Sequence, residues 1–237
     1  MKKLNDRIKR IRESEKKSHI EMYSNEELYK SDSWLKKPIK TVQELIPLFR
    51  DYEKLTVLDL GCGVGRNSIQ IAYEYKDIAC SIDCVDILDL AIEKLYANAK
   101  EYGVQSNIHG VVNSIEEFAI KENYYDFIMA VSSLEHVESE GRFIKKLEEI
   151  KQGTNKRGIV CFVVNSNVKE FDKATGNEIP AQFEVNLPTE KIQAIFSDIF
   201  KGWNVLKTTV REQQYDIPRE YGISELTTSV VTFVARK

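Results

Sequence analysis

The chain has only four cysteines, Cys62, Cys80, Cys84 and Cys161, and no C-x-x-C pair among them. Each lies in or beside an apolar run, so neither a disulfide framework nor a metal site is expected. Cys80 and Cys84 fall on one face of a strand of period two, where cysteine packs as a small apolar residue. No apolar stretch approaches the roughly 18 residues of a membrane span, and the N-terminus is too charged for a secretory signal. A cytoplasmic protein with no membrane partner is the expectation. Net charge is small as well, −3 over 237 residues. Nucleic-acid binding depends on clustered Lys and Arg that neutralise phosphates, so no nucleic-acid partner is expected and a small-molecule partner is favoured. Repeats and low-complexity segments are absent. With 42% hydrophobic residues, the chain can bury one full core with an appendage and has no room for a second catalytic domain.

What stands out is Thr56-Val-Leu-Asp-Leu-Gly-Cys-Gly-Val-Gly-Arg-Asn-Ser68. A short apolar run suited to a strand covered on both faces leads into a glycine-rich turn and then a helix start, with Asn67 and Ser68 as caps. A dinucleotide fingerprint starting at Gly61 needs its third glycine at position 66, which is Arg66 here. The spacing Gly61-x-Gly63-x-Gly65, with Asp59 two residues earlier, instead resembles motif I of class I S-adenosylmethionine-dependent methyltransferases. That resemblance implies that Asp59 reaches the methionyl end of the cofactor and that Gly61, Cys62, Gly63, Gly65 and Asn67 surround it.

Downstream, strand-like and helix-like segments alternate as a doubly wound α/β fold requires. Strands are expected near 55–60, 79–86, 108–112, 126–131, 158–164, 203–210 and 227–235. Helices are expected near 67–75, 90–102, 141–151 and 188–200, with a short one from Ile115 and a polar loop over 165–187. The order suits a seven-stranded mixed sheet whose last strand is antiparallel. Ahead of this body, residues 1–17 carry Lys2, Lys3, Arg7, Lys9, Arg10, Arg12, Lys16 and Lys17 against Asp6, Glu13 and Glu15. Leu4, Ile8 and Ile11 share one helical stripe, which fits a basic amphipathic helix, either docked or solvated. Residues 19–38 concentrate aromatic and turn-forming side chains. The chain therefore divides into an N-terminal helical and lid segment, 1–50, and a cofactor-binding domain, 51–237, with Tyr23, Tyr29 and Trp34 as lid residues facing substrate.

In open parallel sheets ligands bind beyond the carboxyl ends of the strands. Asp86 ends the second strand, placed to accept from both ribose hydroxyls, and Ile87 to pack on an adenine face. Asn113, Ser114 and Ile115 follow the third strand where methyltransferases address the adenine edge. The fourth ends in Val131-Ser-Ser-Leu-Glu-His136, which resembles motif IV of small-molecule methyltransferases. This puts Ser132 and Ser133 under the methionyl portion, adds Val131 to the cofactor-binding residues, and makes His136 or Glu135 the base if the acceptor needs one.

Leu58-Asp-Leu-Gly-Cys-Gly-Val-Gly-Arg-Asn-Ser68, Lys201-Gly-Trp203 and Thr232-Phe-Val-Ala-Arg236 together resemble the tellurite-resistance methyltransferase family. That resemblance implies methyl transfer from S-adenosylmethionine, with S-adenosylhomocysteine as product. Its members hold an oxyanion with histidine and arginine before the final strand. The matching stretch here, Asp216 to Leu226, has no histidine and one arginine, Arg219, which argues against a chalcogen oxyanion. A cofactor-binding regulatory protein without turnover and an NAD-dependent oxidoreductase stand as alternatives.

Overall fold

Alternation of side chains along Lys54–Leu60, the first strand β1, splits it between two cores. Leu55 and Val57 pack with Ile69, Ile82 and Leu95 on one face, while Leu58 and Leu60 pack with Phe143, Leu147 and Phe162 on the other. In this computed structural model, which describes residues 2–219 and 222–237 (side chains from residue 6 on), β1 is central to the sheet. The other strands are β2 (Ala79–Asp86), β3 (Ile108–Val112), β4 (Tyr125–Val131), β5 (Thr154–Asp172), β6 (Glu178–Ile179), β7 (Asn204–Arg219) and β8 (Gly222–Arg236). Their order is β3-β2-β1-β4-β5-β8-β7, with the two-residue β6 attached to β5. Pairing from β3 to β5 is parallel, and β8 runs antiparallel to both β5 and β7. This is the expected seven-stranded doubly wound sheet with an antiparallel last strand.

Helices α3 (Ser68–Glu74) and α4 (Asp89–Glu101) cover one face, and α5 (Glu140–Gly153) and α6 (Thr189–Ile199) the other. Ahead of the sheet come α1 (Lys2–Asn25) and α2 (Lys40–Leu45). Tyr23, Leu28, Leu35, Val42, Leu45 and Phe49 are buried in the same core as Val57 and Ile82. Ile8 and Ile11 are buried too; the side chain of Leu4 lies outside the described residues. Among the described residues no helix is long and apolar enough to cross a membrane.

Three expectations need correction. Ile115 begins a turn, not a helix. The basic helix is not confined to residues 1–17 but runs to Asn25, its inner face continuing from Ile8 and Ile11 to Met22 and Tyr23. The expected loop over 165–187 is half strand: β5 continues to Asp172, and β7 and β8 lengthen with it into an antiparallel arm. Alternation fails to mark the arm because its inward positions include Ser166 and Glu170, both fully buried. Ser166 donates to the Ser229 carbonyl oxygen at 2.6 Å, and Glu170 takes Arg219 and Ser224 as partners.

Candidate active site

A cavity of about 600 Å³ opens at the carboxyl ends of β1, β2, β3 and β4, and α1 forms its roof. The β1–α3 turn is built for close approach. Gly61, Gly63 and Gly65 all have positive φ, at 79°, 53° and 89°. A Cβ on Gly61 would lie 2.4 Å from Cβ of Ser133, whose hydroxyl donates to the Leu60 carbonyl oxygen at 2.6 Å. Beside it, Ser132 is held at φ 50°, a left-handed conformation that turns the chain back beneath β1.

Asp86 lines the cavity, and its two oxygens accept from the Gly63 amide at 2.9 Å and the Leu88 amide at 3.0 Å. Burial pushes its carboxyl up. Each oxygen keeps a further lone pair for a ligand hydroxyl. Ile87, 54% exposed, presents an apolar surface at the mouth. Gly61, Ser114, Ile115, Val131 and Ser132 also border this space.

Other expected site residues lie outside the cavity lining. Asp59 is buried and accepts from the Ser68 hydroxyl at 2.5 Å, with burial raising its carboxyl to about 7. It braces the turn against α3. Cys62 is buried, its amide donating to the Val85 carbonyl. A Cβ on Gly65 would strike Leu95 and Ile69, which makes it a packing glycine. Asn67 caps no helix: its Oδ1 takes the Ile39 amide at 3.1 Å. Asn113 gives its amide to the Asp86 carbonyl. Gly63 is covered, because the Tyr23 hydroxyl lies 2.6 Å from the position of a Cβ there.

Tyr23 and Trp34 line the cavity, as do Ile8, Arg12, Glu15, His19 and Met22, which follow one helical face of α1. Tyr29 does not. It packs edge-on against Tyr102 and donates to the Arg66 carbonyl at 2.8 Å. With Arg66 donating to the Lys37 carbonyl and stacking 4.9 Å from the Trp34 ring, it ties residues 29–39 to the glycine turn. Arg219 is likewise consumed elsewhere, held by both oxygens of the buried Glu170 at 2.7 and 3.0 Å.

His136 also lines the cavity, with Phe183 stacked at 5.4 Å and Glu184 3.0 Å from Nδ1. Burial alone pushes the imidazole down, but hydrogen bonding to Glu184 and the nearby Glu135 and Glu184 charges outweigh it and hold the group at about 9. Glu135 is fully buried outside the cavity lining, with Oε1 taking the Asn165 amide and side chain, and burial pushes its carboxyl up. Arg12, His19, Glu138 and Glu184 escaped the sequence reading. The apolar stripe of Leu4, Ile8 and Ile11 on a helix rich in basic residues was the signal available for Arg12.

Residues 57–158 match the family described as "Methyltransferase domain". Over that stretch, less than half of its length, the chain is similar to methyltransferase domains. Over 107 residues it is 33% identical to the Ubiquinone biosynthesis O-methyltransferase of Rickettsia canadensis, a match covering 45% of this chain and 42% of that protein. The chain thus spans less than half the length of that relative. Among solved structures, TehB from Haemophilus influenzae aligns with a TM-score of 0.59 at 20% identity, covering 82% of this chain and 62% of the other. A geranyl diphosphate methyltransferase in complex with SAM aligns at 0.56 and 12% identity, covering 83% and 84%. These neighbours share the fold described above.

Proposed function

We propose that this chain transfers a methyl group from S-adenosylmethionine to a small, neutral or weakly polar organic acceptor. The observation that carries the reading is one cavity lined by Gly61, Asp86 and Ile87 and also by His136. The first group fits the cofactor: a bare glycine, a carboxylate with free lone pairs and an exposed apolar face suit a nucleoside. Bound there, S-adenosylmethionine supplies a methyl group made electrophilic by its sulfonium.

The chain's own residues orient the acceptor and exclude water. Segment 1–50 serves as the lid over the 51–237 domain, with α1 roofing the cavity. His136, its Nδ1 engaged by Glu184, keeps a proton at neutral pH, so its Nε2 donates to an acceptor oxygen instead of acting as a base. The relative named for O-methyl transfer agrees with an oxygen acceptor. An oxyanion has less support, since Arg219 is already paired. The four buried, free cysteines suit a reducing, cytoplasmic setting.

Calorimetry with S-adenosylhomocysteine and NAD, followed by methyl-transfer assays on phenols, thiols, amines, selenite and tellurite, tests this. Binding of S-adenosylhomocysteine without NAD, and turnover of an organic acceptor, is expected. Binding without any turnover would favour a regulatory protein, and turnover of the oxyanions alone would overturn the acceptor class.

A further inference from the structure

The carboxylate of Glu184 has two partners, one from the turn after β4 and one from α1. Oε2 lies 3.0 Å from His136 Nδ1, and Oε1 lies 3.5 Å from Nε of Arg12 on α1. The Glu184 side chain is 2% exposed, so this is a desolvated contact. Arg12 extends the chain of contacts, its Nη2 reaching Glu116 at 3.0 Å, while Glu116 also accepts from the Glu138 amide. Next to Glu184, the Phe183 ring stacks on His136 and the Phe183 carbonyl accepts from Arg7 of α1 at 2.7 Å. Two adjacent residues therefore each touch both the imidazole and the roof helix.

We propose that Glu184 is the positioning residue of the acceptor site, joining the seating of α1 over the cavity to the orientation and charge of the His136 imidazole. The proposal rests on the reading above, in which His136 meets the acceptor. With α1 seated, Arg12 fixes the carboxylate and the carboxylate fixes the ring. When α1 lifts, Glu184 loses a cation and His136 loses the Glu15 charge that α1 brings near it. The charged groups around the ring are Glu184 from the segment before α6, Glu135 from its own turn, and Glu15 and Arg12 from α1. Glu116 and Glu138 stand behind Arg12. A roof that sets the ring only when closed keeps the acceptor end from being organised while open to water.

The test uses full-length protein and two readouts that need no turnover. One is the titration of His136 by NMR, assigned by its loss in His136→Gln. The other is hydrogen exchange of α1 amides. Glu184→Gln should lower the His136 pKa by about one unit or more and speed α1 exchange several-fold. Glu184→Asp should recover part of both effects. Arg12→Gln, at a partly exposed position with little risk to folding, should speed exchange and also move the His136 titration. The proposal is overturned if Glu184→Gln leaves either readout at its wild-type value, or if Arg12→Gln loosens α1 without moving the titration. S-adenosylhomocysteine affinity measured on the same samples separates the two readings: its absence in the wild type rejects the methyltransferase assignment and leaves the coupling result standing.

Discussion

Replacing Gly61 and Gly63 by alanine, one at a time, separates two jobs that adjacent glycines perform in the same turn. Both have positive φ, so each alanine pays about 1–2 kcal/mol for a left-handed backbone. Their surroundings differ. At Gly61 the new methyl meets Ser133 Cβ at 2.4 Å, an atom fixed by the backbone and by the hydrogen bond to Leu60. Relief there means moving β4 against β1, an overpacking cost of about 1–3 kcal/mol. Gly61→Ala should therefore lose roughly 2–5 kcal/mol of global stability. At Gly63 the obstacle is the Tyr23 hydroxyl at 2.6 Å, with the ring carbon behind it at 3.3 Å. Here the strain can leave through α1. Gly63→Ala should lose about 1–2 kcal/mol globally, and most of the remaining effect should go into opening the roof.

Urea denaturation measures the global loss, and hydrogen exchange of α1 measures the opening. Combining Gly63→Ala with Tyr23→Phe removes the nearest atom, so the double variant should recover roughly 1 kcal/mol of the α1 opening energy. The reasoning is refuted if Gly63→Ala destabilises the whole fold as much as Gly61→Ala while α1 exchange stays at its wild-type rate. Absence of coupling to Tyr23→Phe would refute it equally.

Asp86→Ala should weaken S-adenosylhomocysteine binding about tenfold or more, and calorimetry reads this directly; an unchanged dissociation constant removes Asp86 from the site. Because the Gly63 and Leu88 amides also lose their acceptor, stability should fall by about 1–3 kcal/mol. Arg219→Ala strands Glu170 in the arm and should cost about 3–5 kcal/mol in denaturation, yet S-adenosylhomocysteine affinity should not change; a matching loss of affinity would place the arm at the site after all. His136 is held above its ordinary 6.5, at about 9. Its contribution is fully present below pH 6.5 and is lost as pH rises through 9, by at most about 3 kcal/mol. Urea midpoints at pH 6.5 and 9 should converge for His136→Gln, and a variant that keeps the wild-type slope assigns the pH dependence to another group.

The parts of the fold that follow from hydrophobic period were legible. β4 was placed to within one residue, because a buried parallel strand is an apolar run bounded by polar residues. The arm was hidden by Ser166 and Glu170, polar residues facing inward, whose partners Ser229, Ser224 and Arg219 lie more than 45 residues further on. A local pattern cannot report a charge that is satisfied only after the sheet has closed. The same limit explains the roof. Ile8 and Ile11 pointed to a helix, but between Ile8 and Met22 the face that looks into the cavity carries Arg12, Glu15 and His19, which interrupt its apolar signal.

The candidate site shows why motif residues divide unequally between binding and support. Asp59, Gly65 and Asn67 sit in the recognisable motif, yet Asp59 holds Ser68, Gly65 admits Leu95, and Asn67 anchors Ile39. Their pattern is legible because a turn this tight needs those residue types for its own construction. The groups at the proposed acceptor end carry no such constraint. Glu184 lies in an irregular segment with no glycine, cap or period to mark it, and its importance comes from where the chain returns after β5. The sequence motif thus marks the cofactor end, where backbone geometry dictates composition. At the proposed acceptor end stand Arg12, His136 and Glu184, three side chains from distant segments that meet only in the folded protein. Exchanging residues among those three should redirect acceptor choice while leaving S-adenosylhomocysteine affinity within about twofold, since none of them contacts the glycine turn or Asp86. A Glu184→Gln variant that loses S-adenosylhomocysteine binding while its β-sheet remains folded by circular dichroism would show the two ends to be inseparable.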